Sequence, residues 1–194
     1  MSEPGEPEVS WQGRLLVATP LLTDPHFHRA VVLVLSHEPD EGALGLVLDR
    51  PSGTGVAEVL PGWEGLAASP PVVFEGGPVA RTSAVCLGAA RPGAPATAAF
   101  ADLAADPLLG TVDLDARPED VADALREVRV FAGYAGWSPG QAEAEVDEGA
   151  WWVLDALPGD PFSPAPGLLW KQVLRRQGLP LALASTAPDD PSLN

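Results

Sequence analysis

His37, Asp49 and Glu145 are the candidates in this chain for proton transfer. A histidine titrates near neutrality, and a carboxylate beside it can orient the ring and share its proton. His37 with Asp49 or Glu145 would thus make an acid/base pair for a hydrolase or isomerase. That chemistry requires the two groups to meet within about 4 Å inside a pocket. The competing reading is structural: His37 ends an apolar run just before a turn, where a ring hydrogen-bonds to the turn. Arg50, next to Asp49, has the fork geometry to hold a carboxylate or phosphate. It can equally pair inside the protein with an acid such as Asp24 or Glu145.

The segment Gly133–Glu145, GYAGWSPGQAEAE, carries three glycines, a proline, a tyrosine and a tryptophan where an apolar strand gives way to a short helix. In Ser138-Pro139-Gly140-Gln141, Ser138 can cap that helix with Gln141 completing a capping box. A tight turn centred on Pro139-Gly140 is the alternative. On a helical wheel Ala142 and Val146 face the core, and Glu145 sits at its boundary. From there Glu145 can accept hydrogen bonds from Trp137, Tyr134 or glycine N–H groups, whereas Glu143 points to solvent. Gly76-Gly77 has the makings of an anion-binding nest but lacks the flanking elements and lysine of a phosphate loop. Arg50, Gly76, Gly77, Tyr134, Trp137, Gln141 and Glu145 together form the candidate binding surface. His26 and His28 would share a strand face, a spacing able to hold a metal, yet no third ligand is near in sequence. No metal or cofactor is expected. No HExxH, Walker or dinucleotide-binding pattern occurs.

The elements that must position these residues are mostly strands. Leu15–Ala18 reads as a strand stopped by Thr19-Pro20. Val31–His37 and Ala43–Asp49 flank the turn Pro39-Asp40-Glu41-Gly42, an antiparallel hairpin, apolar on both faces and therefore central. Val72–Phe74, Ala84–Leu87, Thr111–Leu114, Val130–Tyr134 and Trp151–Leu154 are further strands, and Leu181–Ala184 a final one. A helix is predicted from Pro118 with Val121, Ala122, Leu125 and Val128 on one face. Another spans Gly167–Gln177, with Gly178 as its cap and Leu169, Trp170, Val173 and Leu174 buried. Ala89–Ala99 reads as a loop, and Trp11 and Trp63 lie in loop-like contexts. Strands outnumber helices with no βαβ repeat, so the class is α+β.

At 194 residues the chain makes one domain, predicted over 11–185 between acidic tails at 1–10 and 186–194. Its 27 acidic against 11 basic residues give a net charge of −16. Such a field repels phosphate backbones, which disfavours direct nucleic-acid binding, and the cations Lys171, Arg175 and Arg176 make only a small patch. The single cysteine, Cys86, lies in an apolar run and reads as a buried small hydrophobe. No run of about 18 apolar residues exists and the N-terminus lacks the pattern of a signal peptide. A cytoplasmic location is expected.

Several of these pieces occur in an order that resembles the YqgE/AlgH family of bacterial proteins. They are Gly13–Pro20 (GRLLVATP), Asp24-Pro25 with Phe27 and Arg29, and His37 followed by Gly42-Ala43-Leu44-Gly45. Asp49-Arg50-Pro51, Gly76-Gly77-Pro78-Val79, Gly133–Gln141, Glu145 and Trp151 continue the series. The resemblance spans roughly residues 10–184. It implies an α+β fold on a mixed, partly barrel-like sheet flanked by helices, in a family without a settled biochemical function and carrying a transcriptional-regulator label. Two positions depart from the family pattern. Asp49 stands where Asn is usual, and Leu87 is followed by Gly88 where many members have histidine. The expectation is a non-catalytic binding or regulatory module whose glycine-lined surface recognises a protein partner or a small ligand. The alternatives are the His37 acid/base enzyme and a regulator that binds DNA directly.

Overall fold

The computed structural model describes residues 10–38, 40–103 and 106–187. Of the tails expected at 1–10 and 186–194, residues 1–9 and 188–194 lie outside the described residues, as does Pro39 of the hairpin turn. Ser10, by contrast, donates to the His37 carbonyl, and the Thr186 and Ala187 N–H groups donate to those of Leu183 and Ala184. Ten strands form one curled sheet of half-barrel shape: β1 (Arg14–Ala18), β2 (Val31–Glu38), β3 (Gly42–Val47), β4 (Pro51–Gly55), β5 (Val72–Glu75), β6 (Val79–Ala90), β7 (Phe100–Leu103), β8 (Asp106–Val112), β9 (Leu125–Trp137) and β10 (Trp151–Asp155). Their order is β10-β1-β2-β3-β9-β6-β8-β7, antiparallel throughout. The hairpin β4–β5 joins through β5, which runs parallel to β9.

β9, at 13 residues, is the strand on which the two halves meet. One of its edges pairs with β6, and the other changes partner along its length. Phe131 and Ala132 face β5, whereas Ala135–Trp137 face β3. Gly133, at φ +72°, stands between the two stretches and supplies the kink that the change of partner requires.

Three apolar clusters account for the burial. Leu15, Val31, Leu33, Leu46, Phe74 and Phe131 fill one face beneath helix α4 (Leu169–Arg176). On the opposite face Leu16, Val32, Val34, Val47, Trp137 and Trp151 pack with Ala142 of helix α3 (Gln141–Asp147). Under the short helices α1 (Val56–Val59) and α2 (Pro118–Val121) lie Val56, Trp63, Cys86, Val112, Val121 and Val130. Residues 31–35 are therefore buried on both faces, in keeping with their unbroken apolar run. Cys86 is buried too, which pushes its thiol up to about 12.

Several expectations are corrected. The helix expected over 118–128 is one turn long, and Leu125 and Val128 belong to β9. Their i, i+4, i+7 spacing imitates a helix, but the β-branched run that follows pairs along β6 instead. Leu181–Ala184 is a helical turn, α5, not a strand; a four-residue apolar run does not distinguish the two, and its alanines favour helix. The strand expected at Thr111–Leu114 starts at Asp106 and stops at Val112, and it pairs with β7, for which no strand was expected. His26 and His28 lie in a turn at residues 25–29, not on a strand. Trp63 does lie in a loop, as expected, and its side chain is nevertheless buried in the third core cluster.

Candidate functional site

The Gly133–Glu145 segment and the Gly76-Gly77 pair are one construction. Residues 76–78 cross β9 so closely that a Cβ on Gly76 would stand 2.3 Å from the Gly133 carbonyl oxygen. A Cβ on Gly77 would stand 2.2 Å from the Tyr134 carbonyl carbon, and one on Gly133 2.7 Å from the oxygens of Gly77 and Val79. Backbone on backbone leaves no room for side chains, so these glycines are demanded by the crossing. The Gly76 N–H donates to the Ala132 carbonyl and its own carbonyl accepts from Val47 N–H. Both groups serve the sheet instead of an anion.

β9 ends in a turn in which Gln141 N–H donates to the Ser138 carbonyl, with Gly140 at φ +75° and ψ −7°. Those angles are a type II turn with proline and glycine at its centre, so Ser138 does not cap the helix with its side chain. The turn delivers α3 onto the sheet with Glu145 inward. Glu145 Oε2 accepts from the indole N–H of Trp137 at 2.9 Å and of Trp151 at 2.8 Å. Its Oε1 accepts from Gln141 Nε2 at 2.9 Å, while Gln141 Oε1 accepts from Ser138 N–H at 3.0 Å. Phe27 completes the cluster, 5.5 Å from the Trp151 ring and 6.1 Å from that of Trp137. Glu145 thus binds two buried tryptophans to one helix. The Trp137 contact follows the sequence reading, whereas Trp151, not Tyr134, is the second donor.

His37 meets a different carboxylate from either expected one. Its Nε2 lies 2.7 Å from Glu143 Oε1, and its Nδ1 accepts from the Trp11 backbone N–H at 3.2 Å. The accepting Nδ1 selects the tautomer with hydrogen on Nε2, which donates to Glu143. Trp11 covers the ring, stacked at 4.5 Å and 6°. Glu143 therefore does not point to solvent as the wheel suggested. A wheel assumes one buried face, but α3 packs on both β10 and β3, so its Glu143 flank reaches the hairpin.

Asp49 is 6% exposed and lies at the far end of the hairpin from His37. It accepts from Val31 N–H at 3.3 Å and from Arg50 Nη1 at 2.7 Å, and Arg50 Nη2 donates to the His28 carbonyl. Arg50 thus pairs with its own neighbour and not with Asp24 or Glu145. Burial outweighs the Arg50 attraction and raises the Asp49 carboxyl to about 6 from 3.8. The folded form holds that proton more tightly than the unfolded chain. Its contribution to stability is complete below about 3.8 and is lost as pH rises through about 6. A rise of that size corresponds to about 3 kcal/mol. Asp49→Asn, which has no proton to lose, should gain stability relative to the parent by up to about that amount between pH 4 and 7. Urea unfolding at both ends of the range measures it; a pH-independent difference would refute the assignment.

Tyr134 and Trp137 share an open trough of about 500 Å3 between the β2–β3 turn and the end of β9. Ser36, Leu44, Val79, Tyr134 and Gly136 line it, and Glu38 and Glu41 stand at one side. A Cβ on Gly136 would meet nothing closer than 3.7 Å, so here glycine leaves space instead of filling a crossing. Arg50 and Gly77 lie outside the trough, in a small pocket with His26, Glu75 and Arg81. The expected single surface is therefore divided in two.

A sequence profile described as AlgH-like matches residues 15–182. The chain belongs to the AlgH-like family. It is 53% identical over 196 residues to a UPF0301 protein of Streptomyces avermitilis, covering 98% of this chain and 99% of that one. A UPF0301 protein of Thermobifida fusca is 52% identical, covering 96% of each chain. A crystal structure of a Corynebacterium diphtheriae protein superposes with a TM-score of 0.85 at 34% identity, covering 96% of this chain and 95% of that one. The solution structure of AlgH from Pseudomonas aeruginosa superposes with 0.68 at 27% identity, covering 96% and 98%.

In this AlgH-like chain the position after Leu87 has no room for a larger residue, since a Cβ on Gly88 would stand 2.6 Å from Val112. Among the candidate cations of α4, Arg176 is taken by Asp160 in a bidentate pair at 2.6 and 2.7 Å. Arg129, by contrast, was not singled out in the sequence, yet it is the largest fully buried side chain among the described residues. It donates to the carbonyls of Pro161, Ser163 and Ser69 and lies 4.2 Å over the Phe74 ring. Burial draws it down to about 10 despite the opposing Glu127. Its place between Val128 and Val130 was the only available signal: a cation in an apolar strand needs partners inside. No helix among the described residues is long and apolar enough to cross a membrane.

Proposed function

We propose that this protein is a non-catalytic binding and regulatory module of the cytoplasm that docks a cationic segment of a partner protein in the Tyr134 trough. The observation that carries the reading is that every acid/base candidate is already engaged. His37 uses both ring nitrogens, Asp49 is held by Arg50, and Glu145 accepts from two indoles and an amide. What is left open is a recess with an aromatic ring, apolar walls and two carboxylates. Glu38 and Glu41, on a chain of net charge −16, attract a lysine or arginine, and Tyr134 offers it a ring face. A nucleic acid is repelled by the same charges.

A photo-crosslinking side chain at Ser36, with Arg117 as a remote exposed control, tests this in living cells. One protein should be trapped from position 36 and not from 117. Glu38→Lys with Glu41→Lys, and separately Gly136→Leu, should abolish it; the second puts a side chain into the trough at a position where a Cβ meets nothing closer than 3.7 Å. A crosslink that survives both changes, or none specific to position 36, refutes the reading.

A further inference from the structure

We infer that a second site, separate from the trough, binds a small amphipathic molecule with an anionic head. The third core cluster runs along one face of β5, β9 and β6 through Val73, Val130 and Cys86. On that face the next directly opposed pair is Ala84↔Ala132, two of the smallest side chains available. The core stops there, and a groove of about 410 Å3 opens above the two alanines. That volume falls within the range of about 300–1,000 Å3 common to small-molecule sites.

The walls of the groove are built from opposite sides. Val59 and Leu60, at the end of α1, form one; Val59 is half exposed although it adjoins the core. The other is a bulge of β6, in which the six residues Val79–Ala84 stand against only Tyr134–Ala132 of β9. The surplus lifts Arg81, Thr82 and Ser83 over the groove, and Ala80 takes φ +46°, an uncommon conformation for a residue with a Cβ. Ser52 and Thr54 of β4 close the end. An apolar chain laid on Val73, Ala84, Val130 and Ala132 would extend the core, and the hydroxyls of the walls would meet polar atoms along it.

The head group follows from Arg81. Its nearest acid, Glu75, is 4.0 Å away, and both side chains are well exposed. So loose a pair leaves most guanidinium donors free to turn to a bound carboxylate. Glu75 is the competitor for that position, so its charge weakens ligand binding.

Octanoate and 1-octanol are the probes, titrated into the full-length protein and followed by amide NMR shifts. Both should perturb Val73, Ala84, Val130 and Ala132, with octanoate the tighter. Arg81→Ala should weaken octanoate about three- to five-fold and leave octanol unchanged, and Glu75→Gln should strengthen octanoate. Ala84→Leu, which fills the hollow, should abolish both. Arg81 and Glu75 are exposed, so their variants keep the test decisive even if Ala84→Leu unfolds. Shifts centred elsewhere, an octanoate affinity indifferent to Arg81 and Glu75, or no binding by the parent protein would each overturn the inference.

Discussion

Arg129→Met should lower the unfolding free energy by about 4 kcal/mol, because it strips donors from three backbone carbonyls at once. Methionine keeps much of the apolar stem but donates nothing. The carbonyls of Pro161, Ser163 and Ser69 would then be left without the donors they have now. Pro161 and Ser163 are buried, so their unmet carbonyls cost about 1–3 kcal/mol each, whereas Ser69 is exposed and water can replace its donor. Relief from desolvating a cation offsets part of the sum. The three carbonyls belong to two separate loops, so Arg129 ties both to β9. Arg129→Lys should recover little, because a compact ammonium cannot span acceptors set apart for a guanidinium fork. Urea unfolding followed by tryptophan fluorescence provides the number. A loss below about 1 kcal/mol for Arg129→Met would show that the loops are held by packing alone.

Glu145→Ala should cost about 3 kcal/mol, since hydrogen bonds to a charged acceptor contribute about 1.5–3 kcal/mol and two indole donors lose theirs together. Trp137 and Trp151 are 5% and 2% exposed, so water does not readily replace the carboxylate. The two rings meet edge to face at 5.9 Å and 79°, an arrangement that Glu145 holds from outside. Loss of near-ultraviolet circular dichroism at the tryptophan bands should therefore accompany the loss of stability. Unchanged tryptophan bands would mean that Phe27 and Ala142 suffice to hold the rings. Both outcomes bear on function, because α3 and its turn form one end of the trough through Ser138 and Pro139.

Much of the frame was legible in the chain itself. The apolar runs at 15–18, 31–37 and 43–49, with a glycine turn between the last two, yield the first three strands and their central place. Amphipathic spacing placed α4 to within a few residues, and proline before glycine indicated the turn that starts α3. Local pattern failed where pairing decided. Val121, Leu125 and Val128 carry helical spacing, yet β6 draws the latter two into a strand of 13 residues. Glu143 looked solvated on its own helix because the hairpin that receives it lies 106 residues away in sequence.

For the candidate site the division is the same. Sequence by itself carried the family, through the resemblance of motifs spread over residues 10–184, together with the α+β class and the net acidic charge. It likewise placed Trp137 among the possible donors to an inward Glu145, eight residues along the chain. Tertiary structure alone decided which acid meets His37, that Gly76, Gly77 and Gly133 serve a backbone crossing, and that Arg129 is buried among carbonyls. It also decided where surface stays open, beside Gly136 and above Ala84 and Ala132. The reason is that hydrogen-bond partners and empty space are properties of elements brought together from distant parts of the chain. No local periodicity records which strand will pair with which.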